Sequence, residues 1–320
     1  MIRLDQVIKT YPGNVTAVDN VSLEIKKGET IVFVGTSGCG KTTTLKLINR
    51  LIELTSGTIT LDGKDITSMD SYSLRRTIGY VIQYVGLFPH FTIGRNVGVV
   101  PELLGWDKEK THERTNKLLT MVGLEPDEFA TRFPNELSGG QQQRVGVARA
   151  LAADPDVILM DEPFGALDPI TRETLQDELS PLWNELDKTV VFVTHDIFEA
   201  VKVGDRIAVM DAGKILQVGK PAEVIKNPAN DRVTSFFSQH RFQLELLTTR
   251  IDSIIEKTDE KIPENKKTPK LHPHDSLIDA MDALKRSDDQ NVPVFDTKNN
   301  LQGIVTRASV TREISKLIEQ

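Results

Sequence analysis

The sequence predicts an α/β fold with a mainly parallel sheet, and three short apolar runs support that prediction. Thr30–Val34, Val157–Met160 and Val190–Val193 are apolar at successive positions, as strands buried on both faces are. Helical patterns separate these runs, and strands that alternate with helices favour a parallel sheet. Near the end of this region, Ile207–Met210 and Lys214–Val218 predict a hairpin.

Two regions differ from this parallel core. Val21–Ile25 and Gly57–Leu61 alternate apolar and polar residues, which predicts an antiparallel β-subdomain beside the parallel sheet. The stretch 101–135 is polar and has helical periodicity, so a helical subdomain is expected over about residues 88–155. Together these parts predict a first domain that spans residues 1–240.

The composition changes near residue 240. Residues 241–270 are expected to hold a helix and a charged linker, because Lys257–Pro269 has two prolines and almost no apolar residue. Residues 271–320 then predict a small α/β domain. Its expected elements are a helix at Ser276–Leu284, strands at Val292–Phe295 and Leu301–Val305 around a turn at Asp296–Asn300, and a helix at Ala308–Glu319.

The bulk composition excludes several classes of function. The net charge of the 320 residues is −7, whereas nucleic-acid binders usually carry a basic excess, so no nucleic-acid partner is expected. Cys39 is the only cysteine, which excludes an internal disulfide and favours a reducing, cytosolic setting. No apolar run approaches the about 20 residues that cross a bilayer, so any membrane role is expected to go through a partner.

Residues Gly35–Thr42 fit the phosphate-binding pattern G-x-x-x-x-G-K-[ST] in full, between a predicted buried strand and a predicted helix. Backbone amides of such a loop converge on phosphate oxygens, and the helix N-terminus adds positive potential. Lys41 is expected to reach the β- and γ-phosphates, and the Thr42 hydroxyl to bind Mg²⁺. The sequence therefore predicts a P-loop NTPase core, with ATP-binding positions at Gly35, Thr36, Ser37, Gly38, Cys39, Gly40, Lys41, Thr42 and Thr43.

Two acids end the predicted strand Val157–Met160. Asp161 is expected to bind the Mg²⁺ ion, and Glu162 is the candidate general base for the attacking water. Acidic residues often end buried strands, so this pattern alone is a weak indication of catalysis. The phosphate loop elsewhere in the chain makes it a strong one.

Ser138 precedes a helix predicted at Gln142–Ala152, and two interpretations are open. Ser138 can simply cap that helix, or Ser138 and the amides after it can bind a γ-phosphate. The stretch 137–151, LSGGQQQRVGVARAL, resembles the signature motif of the ABC transporter ATPases. Few other families carry it after a phosphate loop.

The resemblance covers about residues 1–240 and implies further roles by position. Tyr11 matches the aromatic residue that stacks on adenine. Gln83 matches the glutamine that touches Mg²⁺ and the water and senses the transmembrane partner. Asp168, in Ala166-Leu167-Asp168, matches the loop that crosses to the second subunit. His195 matches the histidine that contacts the γ-phosphate and steadies the water beside Glu162.

The same resemblance implies an assembly. In this family the signature segment completes the ATP site of a second copy, so two ATP molecules lie between two head-to-tail subunits. The implied signature positions here are Ser138, Gly139, Gly140 and Gln141. Because signature and phosphate loop are both intact, the expected protein is a homodimer that hydrolyses ATP with Mg²⁺.

Two segments resemble a particular branch of the family. Ile82–Ile93 is similar to the stretch of glycine betaine, carnitine and choline importers that receives a coupling helix from the permease. Asp275–Gln320 resembles one CBS motif, and such a tail is typical of quaternary-amine uptake systems. The implied partners are permease subunits and an extracytoplasmic solute-binding domain, with this chain at the cytoplasmic face of the membrane.

Several alternatives stay open. The tail could sense ionic strength, bind a nucleotide such as cyclic di-AMP, or only support dimerisation; relatives commonly carry two CBS motifs, so a single one would pair across the homodimer. The solute could be another small cationic or zwitterionic molecule, or the system could serve bile resistance. A soluble ABC ATPase on ribosomes or DNA usually has two cassettes or a long coiled insertion, which this sequence lacks. A mainly regulatory nucleotide sensor is disfavoured by the intact catalytic residues.

Overall fold

A computed structural model describes residues 1–83, 86–165, 167–168, 170–172, 174–176, 188–258, 269–287, 291–296 and 298–319. These residues form two compact units, Met1–Lys220 and Pro221–Gln320. The division falls earlier than the boundary expected near residue 240. The reason is that the helix Pro221–Lys226 packs against the helix Arg241–Thr248 and so belongs to the second unit.

The first unit is built on a six-stranded sheet with the strand order β10-β9-β3-β8-β7-β6. All neighbouring strands pair in parallel except β10 and β9, which form the predicted hairpin. The three predicted apolar strands are confirmed, and each is buried along its whole length. The strands are β3 (Thr30–Gly35), β6 (Ile78–Val81), β7 (Val157–Asp161), β8 (Thr189–Val193), β9 (Arg206–Asp211) and β10 (Lys214–Gly219).

The predicted antiparallel subdomain is a four-stranded sheet with the order β2-β1-β4-β5. Ile25 of this sheet, Phe33 and Leu159 of the parallel sheet, and Leu45 of the helix after the phosphate loop share one hydrophobic core. That shared core fixes the small sheet beside the phosphate loop. Its strands are β1 (Ile2–Tyr11), β2 (Val15–Ile25), β4 (Ser56–Leu61) and β5 (Lys64–Asp65).

The helical region expected near 88–155 is formed by four helices, of which the third along the chain is one short turn. Thr92, Asp107 and Ser138 cap three of them, because each side chain accepts a hydrogen bond from a first-turn amide. The helices of the first unit that are described over their whole length are α1 (Lys41–Ile48), α2 (Ser71–Arg76), α3 (Ile93–Leu103), α4 (Lys108–Met121), α5 (Pro126–Phe129), α6 (Gly139–Leu151) and α7 (Ile197–Val203). Helix α3 packs against both α4 and α6.

The second unit contains the predicted order of helix, strand, strand and helix. The two strands pair in antiparallel fashion, and Leu277, Val292 and Val305 belong to a core of their own. Most of the predicted charged linker, residues 259–268, and Thr297 of the predicted turn lie outside the described residues. The elements are α8 (Pro221–Lys226), α9 (Asp231–Ser238), α10 (Arg241–Thr248), α11 (Leu277–Arg286), β11 (Asn291–Phe295), β12 (Leu301–Thr306) and α12 (Arg307–Ile318).

Among the described parts of the chain, no helix combines the length and the apolar character needed to span a bilayer.

Candidate functional site

The candidate site lies where four neighbouring parallel strands end. The segments that follow β3, β8, β7 and β6 carry the phosphate loop, His195, Glu162 and Gln83, respectively. In an open α/β sheet, ligands bind at this carboxyl edge of the strands. Residues that were predicted from separate stretches of sequence are therefore brought to one edge of one sheet.

The phosphate loop depends on close backbone contacts at two glycines. Gly35 and Gly40 have φ values of 152° and 108°, which residues with a side chain rarely adopt. A Cβ atom at Gly35 would collide with the Met210 carbonyl, and one at Gly40 with the Ala17 carbonyl. The loop can take this shape because both residues lack a side chain, and Gly40 then starts helix α1.

Lys41 is folded back onto the loop and is only 5% exposed. Its ammonium group donates hydrogen bonds to the carbonyl oxygens of Gly35, at 2.8 Å, and Thr36, at 3.1 Å. Cys39 Sγ lies 3.8 Å from the same Nζ atom. Burial raises the pKa of the Cys39 thiol, despite the opposing effect of Lys41, so this thiol stays protonated at neutral pH.

The Thr42 hydroxyl donates a hydrogen bond of 2.7 Å to Asp161 Oδ1. Burial raises the pKa of Asp161, while the bond from Thr42 and the nearby Lys46 charge oppose that rise. A hydroxyl and a carboxylate at this distance form the kind of oxygen pair that Mg²⁺ prefers. Two of the three predicted metal-binding residues are therefore placed together, and their chemistry fits the ion.

Glu162 is the centre of a cluster of three predicted catalytic residues. Its Oε2 atom accepts a hydrogen bond of 3.1 Å from Gln83 Nε2 and lies 3.2 Å from His195 Nδ1. The Glu162 backbone has a φ of 46°, in the left-handed region, and its amide donates to the Val193 carbonyl at 2.9 Å. Non-glycine residues in this conformation are strained and concentrate at functional sites.

Tyr11 lies at the end of an inner strand of the antiparallel sheet, which also contacts the phosphate loop. It is the last residue of β1, it pairs with Val15, and it is 36% exposed. Two residues after Val15, the Ala17 carbonyl approaches Gly40. The hairpin that carries Tyr11 therefore lies beside the loop, and stacking on adenine stays a prediction.

Ser138 is the N-cap of α6, as the simpler interpretation expected. Its hydroxyl accepts a bond of 3.3 Å from the Gln141 amide, and its own amide donates to Gln141 Oε1 at 2.9 Å. A Cβ at Gly140 would lie only 2.8 Å from Thr171 Cγ2. Within this chain the segment thus packs against the region around Asp168, and its binding of a γ-phosphate stays a prediction.

Asp168 begins the helical turn that follows it. Its carboxylate accepts a bond of 3.1 Å from the Thr171 amide. Hydrogen bonds from Thr171 hold the pKa of Asp168 below its ordinary value. Of the predicted Ala166-Leu167-Asp168 loop, Ala166 lies outside the described residues.

Four polar residues near the site were not singled out from the sequence. The Arg172 guanidinium lies 3.7 Å from the Asp196 carboxylate, and Gln176 Nε2 donates to Glu199 Oε1 at 3.0 Å. Asp196 and Glu199 follow His195 with the spacing of a helix N-terminus, so the sequence alone would indicate only a capping role for them. Their contacts with residues about 23 positions away arise only from packing.

Glu199 is a buried carboxyl group, only 4% exposed. Burial raises its pKa to about 7; the Asp196 charge adds to the rise, and hydrogen bonds from Thr194 and Gln176 and the Arg172 charge oppose it. At neutral pH this group is therefore divided between its protonated and ionised forms.

Comparison with known proteins identifies the family. Residues 18–165 match the ABC transporter family, and residues 262–316 match the CBS domain. The chain is 50% identical over 305 residues to the glycine betaine/carnitine/choline transport ATP-binding protein OpuCA of Bacillus subtilis (strain 168). That similarity covers 95% of this chain and 78% of the relative. This chain belongs to the ATP-binding subunits of ABC transporters.

Other relatives agree with this membership. The chain is 48% identical over 306 residues to the carnitine transport ATP-binding protein OpuCA of Listeria monocytogenes, covering 95% of this chain and 75% of that protein. It is 46% identical over 311 residues to the osmoprotectant import ATP-binding protein OsmV of Salmonella typhimurium, covering 96% of this chain and 79% of that protein.

A solved structure confirms the fold class. A dimeric ATP-binding cassette in a post-hydrolysis state with ADP and phosphate is 40% identical, with a TM-score of 0.62. The similarity covers 69% of this chain and 98% of that one. The ABC ATPase core and the CBS tail expected from the sequence are thus confirmed. As a member of this family the chain is an ATPase, and ABC ATPases generally use Mg²⁺ with ATP.

The raised pKa of Glu199 gives a testable effect on stability. Folding favours the protonated form, so the contribution of this group is complete below its ordinary value of 4.5 and is lost as pH rises through about 7. Glu199→Gln stays neutral at every pH. We expect the variant to be more stable than the parent by up to about 3 kcal/mol at pH 8.5, and equal to it near pH 4.5.

Urea unfolding of both proteins across this pH range measures the effect. Glu128→Gln, which changes an exposed glutamate of α5 that pairs with Arg132, is the control, and its effect on stability should be much smaller because exposed ion pairs contribute little. A difference for Glu199→Gln that does not change with pH would contradict the raised pKa.

Proposed function

We propose that this chain is the ATP-hydrolysing subunit of an importer for glycine betaine, carnitine, choline or a related quaternary amine, at the cytoplasmic face of the membrane. The observation that supports its chemistry is the cluster of Gln83 and His195 on the Glu162 carboxylate, beside the paired Thr42 and Asp161. The proposed solute class is supported by the names of relatives that are 46% to 50% identical.

The residues divide the work of hydrolysis as follows. Lys41 exchanges the loop carbonyls for oxygens of the β- and γ-phosphates, and the loop amides hold the remaining phosphate oxygens. Thr42, Asp161 and Gln83 would hold Mg²⁺, which would neutralise phosphate charge there. Glu162 takes the proton of the attacking water, and His195 keeps that carboxylate directed at the water.

The complete site requires a second copy. We place Ser138, Gly139, Gly140 and Gln141 of one subunit against the ATP bound to the phosphate loop of the other, with Asp168 near the boundary. The dimeric state of a solved cassette that is 40% identical supports this arrangement. First-turn amides of α6 have no partner inside the helix, which suits a γ-phosphate.

Replacement of the proposed general base tests the catalytic part. Glu162→Gln keeps the shape of the side chain but cannot accept a proton, so we expect ATP turnover to fall at least about 100-fold. The variant should still bind ATP and accumulate as an ATP-bound dimer. Phosphate release and size-exclusion chromatography with light scattering measure the two effects. Normal turnover in Glu162→Gln, with Glu128→Gln as the control, would exclude this role for Glu162.

A surface groove supports docking of the permease. A cavity of about 280 Å³ lies beside the edge strand β6, and Arg75, Arg76 and Arg149 contribute to its walls. Arg149 also donates a bond of 2.7 Å to the Gly86 carbonyl, within the segment that resembles the permease-contacting stretch of importers. Tyr84 and Val85 of that segment lie outside the described residues. No acidic residue is among the described residues that line the groove, so a segment that carries a carboxylate would complement it.

Reversal of one charge at this groove tests the docking proposal. Arg76 is exposed, so Arg76→Glu should leave folding and the ATPase activity of the isolated chain intact. We expect the amount of permease that co-purifies with the chain to fall at least about fivefold, since like charges oppose docking. Arg312→Glu makes the same charge change at an exposed site in the second unit. Equal retention of permease by both variants would contradict docking at this groove.

An uptake assay tests the proposed solute and the proposed regulation together. Proteoliposomes with the cognate permease and binding protein should take up glycine betaine, carnitine or choline with ATP, and should not do so with Glu162→Gln.

We also propose that the CBS tail regulates uptake by binding a nucleotide such as cyclic di-AMP. Addition of cyclic di-AMP should then change the uptake rate. Uptake of none of the three solutes would contradict the solute class, and an uptake rate that cyclic di-AMP does not change would contradict its role as the regulator.

A further inference from the structure

We propose that Arg172 is a positioning residue that transmits closure of the dimer from the segment around Asp168 to His195. This inference rests on the proposed function, because it assumes the roles given there to Asp168 and His195. It adds a physical link between the part of the site that faces the second subunit and the part that contacts the γ-phosphate.

Arg172 bridges the two segments directly. Its Nη2 atom donates a bond of 3.1 Å to the carbonyl of Leu167, the residue before Asp168. Its Nη1 atom lies 3.7 Å from the carboxylate of Asp196, the residue after His195. The planar guanidinium suits this task, because it can hold two acceptors in a fixed relative orientation.

Asp196 passes the link on to the backbone that carries His195. While Oδ2 of Asp196 faces Arg172, its Oδ1 caps helix α7 by accepting bonds from the amides of Phe198 and Glu199. The carboxylate is thus shared between the guanidinium and the start of the helix. A shift of Arg172 therefore acts on the turn that holds His195.

A second hydrogen bond supports the same link. Gln176, one helical turn after Arg172, donates a bond of 3.0 Å to Glu199. Both side chains are buried, at 8% and 4% exposure, so water competes little for this bond. Two polar contacts, at Arg172 and at Gln176, therefore join this segment to the start of α7.

The Arg172 side chain also borders the catalytic carboxylate. A cavity of about 10 Å³ lies between Glu162, Arg172, Thr194 and Glu199, which is close to the space that one water occupies. Arg172 Nε is buried and has no hydrogen-bond partner among the described residues. Such a donor at a polar, water-sized cavity suits a bound water that would join the guanidinium to Glu162.

The other end of the link reaches the signature segment. Gly139 and Gly140, at the start of α6, approach Leu167 and Thr171 so closely that a Cβ at Gly140 would lie 2.8 Å from Thr171 Cγ2. Movement of the signature segment when it meets a second subunit would therefore displace the residues that Arg172 holds. Through its contact with Asp196, Arg172 would then change the position of His195.

Kinetics of Arg172→Ala test the proposal. The ATP-binding residues do not depend on Arg172, so we expect kcat to fall about tenfold and the Kd for ATP to change less than about twofold. Arg172→Lys keeps the charge that faces Asp196 but loses the planar guanidinium that holds two acceptors, so it should restore kcat only in part. Asp196→Asn keeps the helix cap and removes the ion pair, so it should lower kcat similarly. Because both changes break one link, the double variant should be no slower than Arg172→Ala.

Arg114→Ala is the matched control for stability. Arg114 is also partly buried and also joins a carbonyl, that of Leu151 at 2.9 Å, to a carboxylate, that of Asp154 at 3.2 Å. It should lower the melting temperature about as much as Arg172→Ala does while kcat stays within about twofold. Unchanged kcat in Arg172→Ala or Asp196→Asn, or additive losses in the double variant, would overturn the proposal.

The outcome for Glu162→Gln separates this inference from the proposed function. If Glu162→Gln is inactive and Arg172→Ala has normal kcat, the positioning role is wrong and the ATPase site stands. If Glu162→Gln turns over ATP normally, the site assignment is wrong and the positioning role falls with it.

Discussion

Parallel pairing of β7 with β8 is the constraint on which the site depends. The register places Asp161 opposite Val193, and the Glu162 amide continues that pairing by bonding to the Val193 carbonyl. A slip of one residue would reverse the face of every side chain in a strand. Because both strands are buried along their whole length, apolar packing fixes this register. The packing of the core thus determines which acid faces Thr42 and which faces His195.

The same burial gives the site its electrostatic character. Lys41 and Asp161 are 5% and 6% exposed, and burial of charge is costly unless hydrogen bonds compensate for it. The loop carbonyls satisfy the ammonium group, and the Thr42 hydroxyl bonds to the carboxylate. These contacts hold both side chains in place. In the proposed function, a triphosphate and Mg²⁺ would replace these bonds around side chains that are already held in place, which would reduce the ordering that binding requires.

The sequence predicts the local features of this site well and the non-local ones poorly. Buried parallel strands are continuous apolar runs, and the phosphate loop has a fixed local pattern, so both could be recognised without a structure. The left-handed backbone of Glu162 and the contact between Arg172 and Asp196 have no local signal, since they arise from packing of distant segments. The edge strand β6, with the short sequence IGYV, is also too brief to stand out. Composition placed the domain boundary near residue 240, whereas helix packing places it before Pro221.

In the proposed dimer, the signature segment of one chain supplies the second half of the ATP site of the other. Its capping box satisfies the amide of Gln141 with the Ser138 hydroxyl, and it also bonds the amide of Ser138 itself. The first-turn amides of Gly139 and Gly140 have no carbonyl partner inside α6, because a helix leaves its first amides unpaired. The glycines let the segment lie close to Leu167 and Thr171, so its position follows that of the residues around Asp168. An anion that binds these amides would therefore also fix the segment that Arg172 joins to His195. In the proposed dimer, binding of ATP between two copies would then also align the proposed catalytic residues.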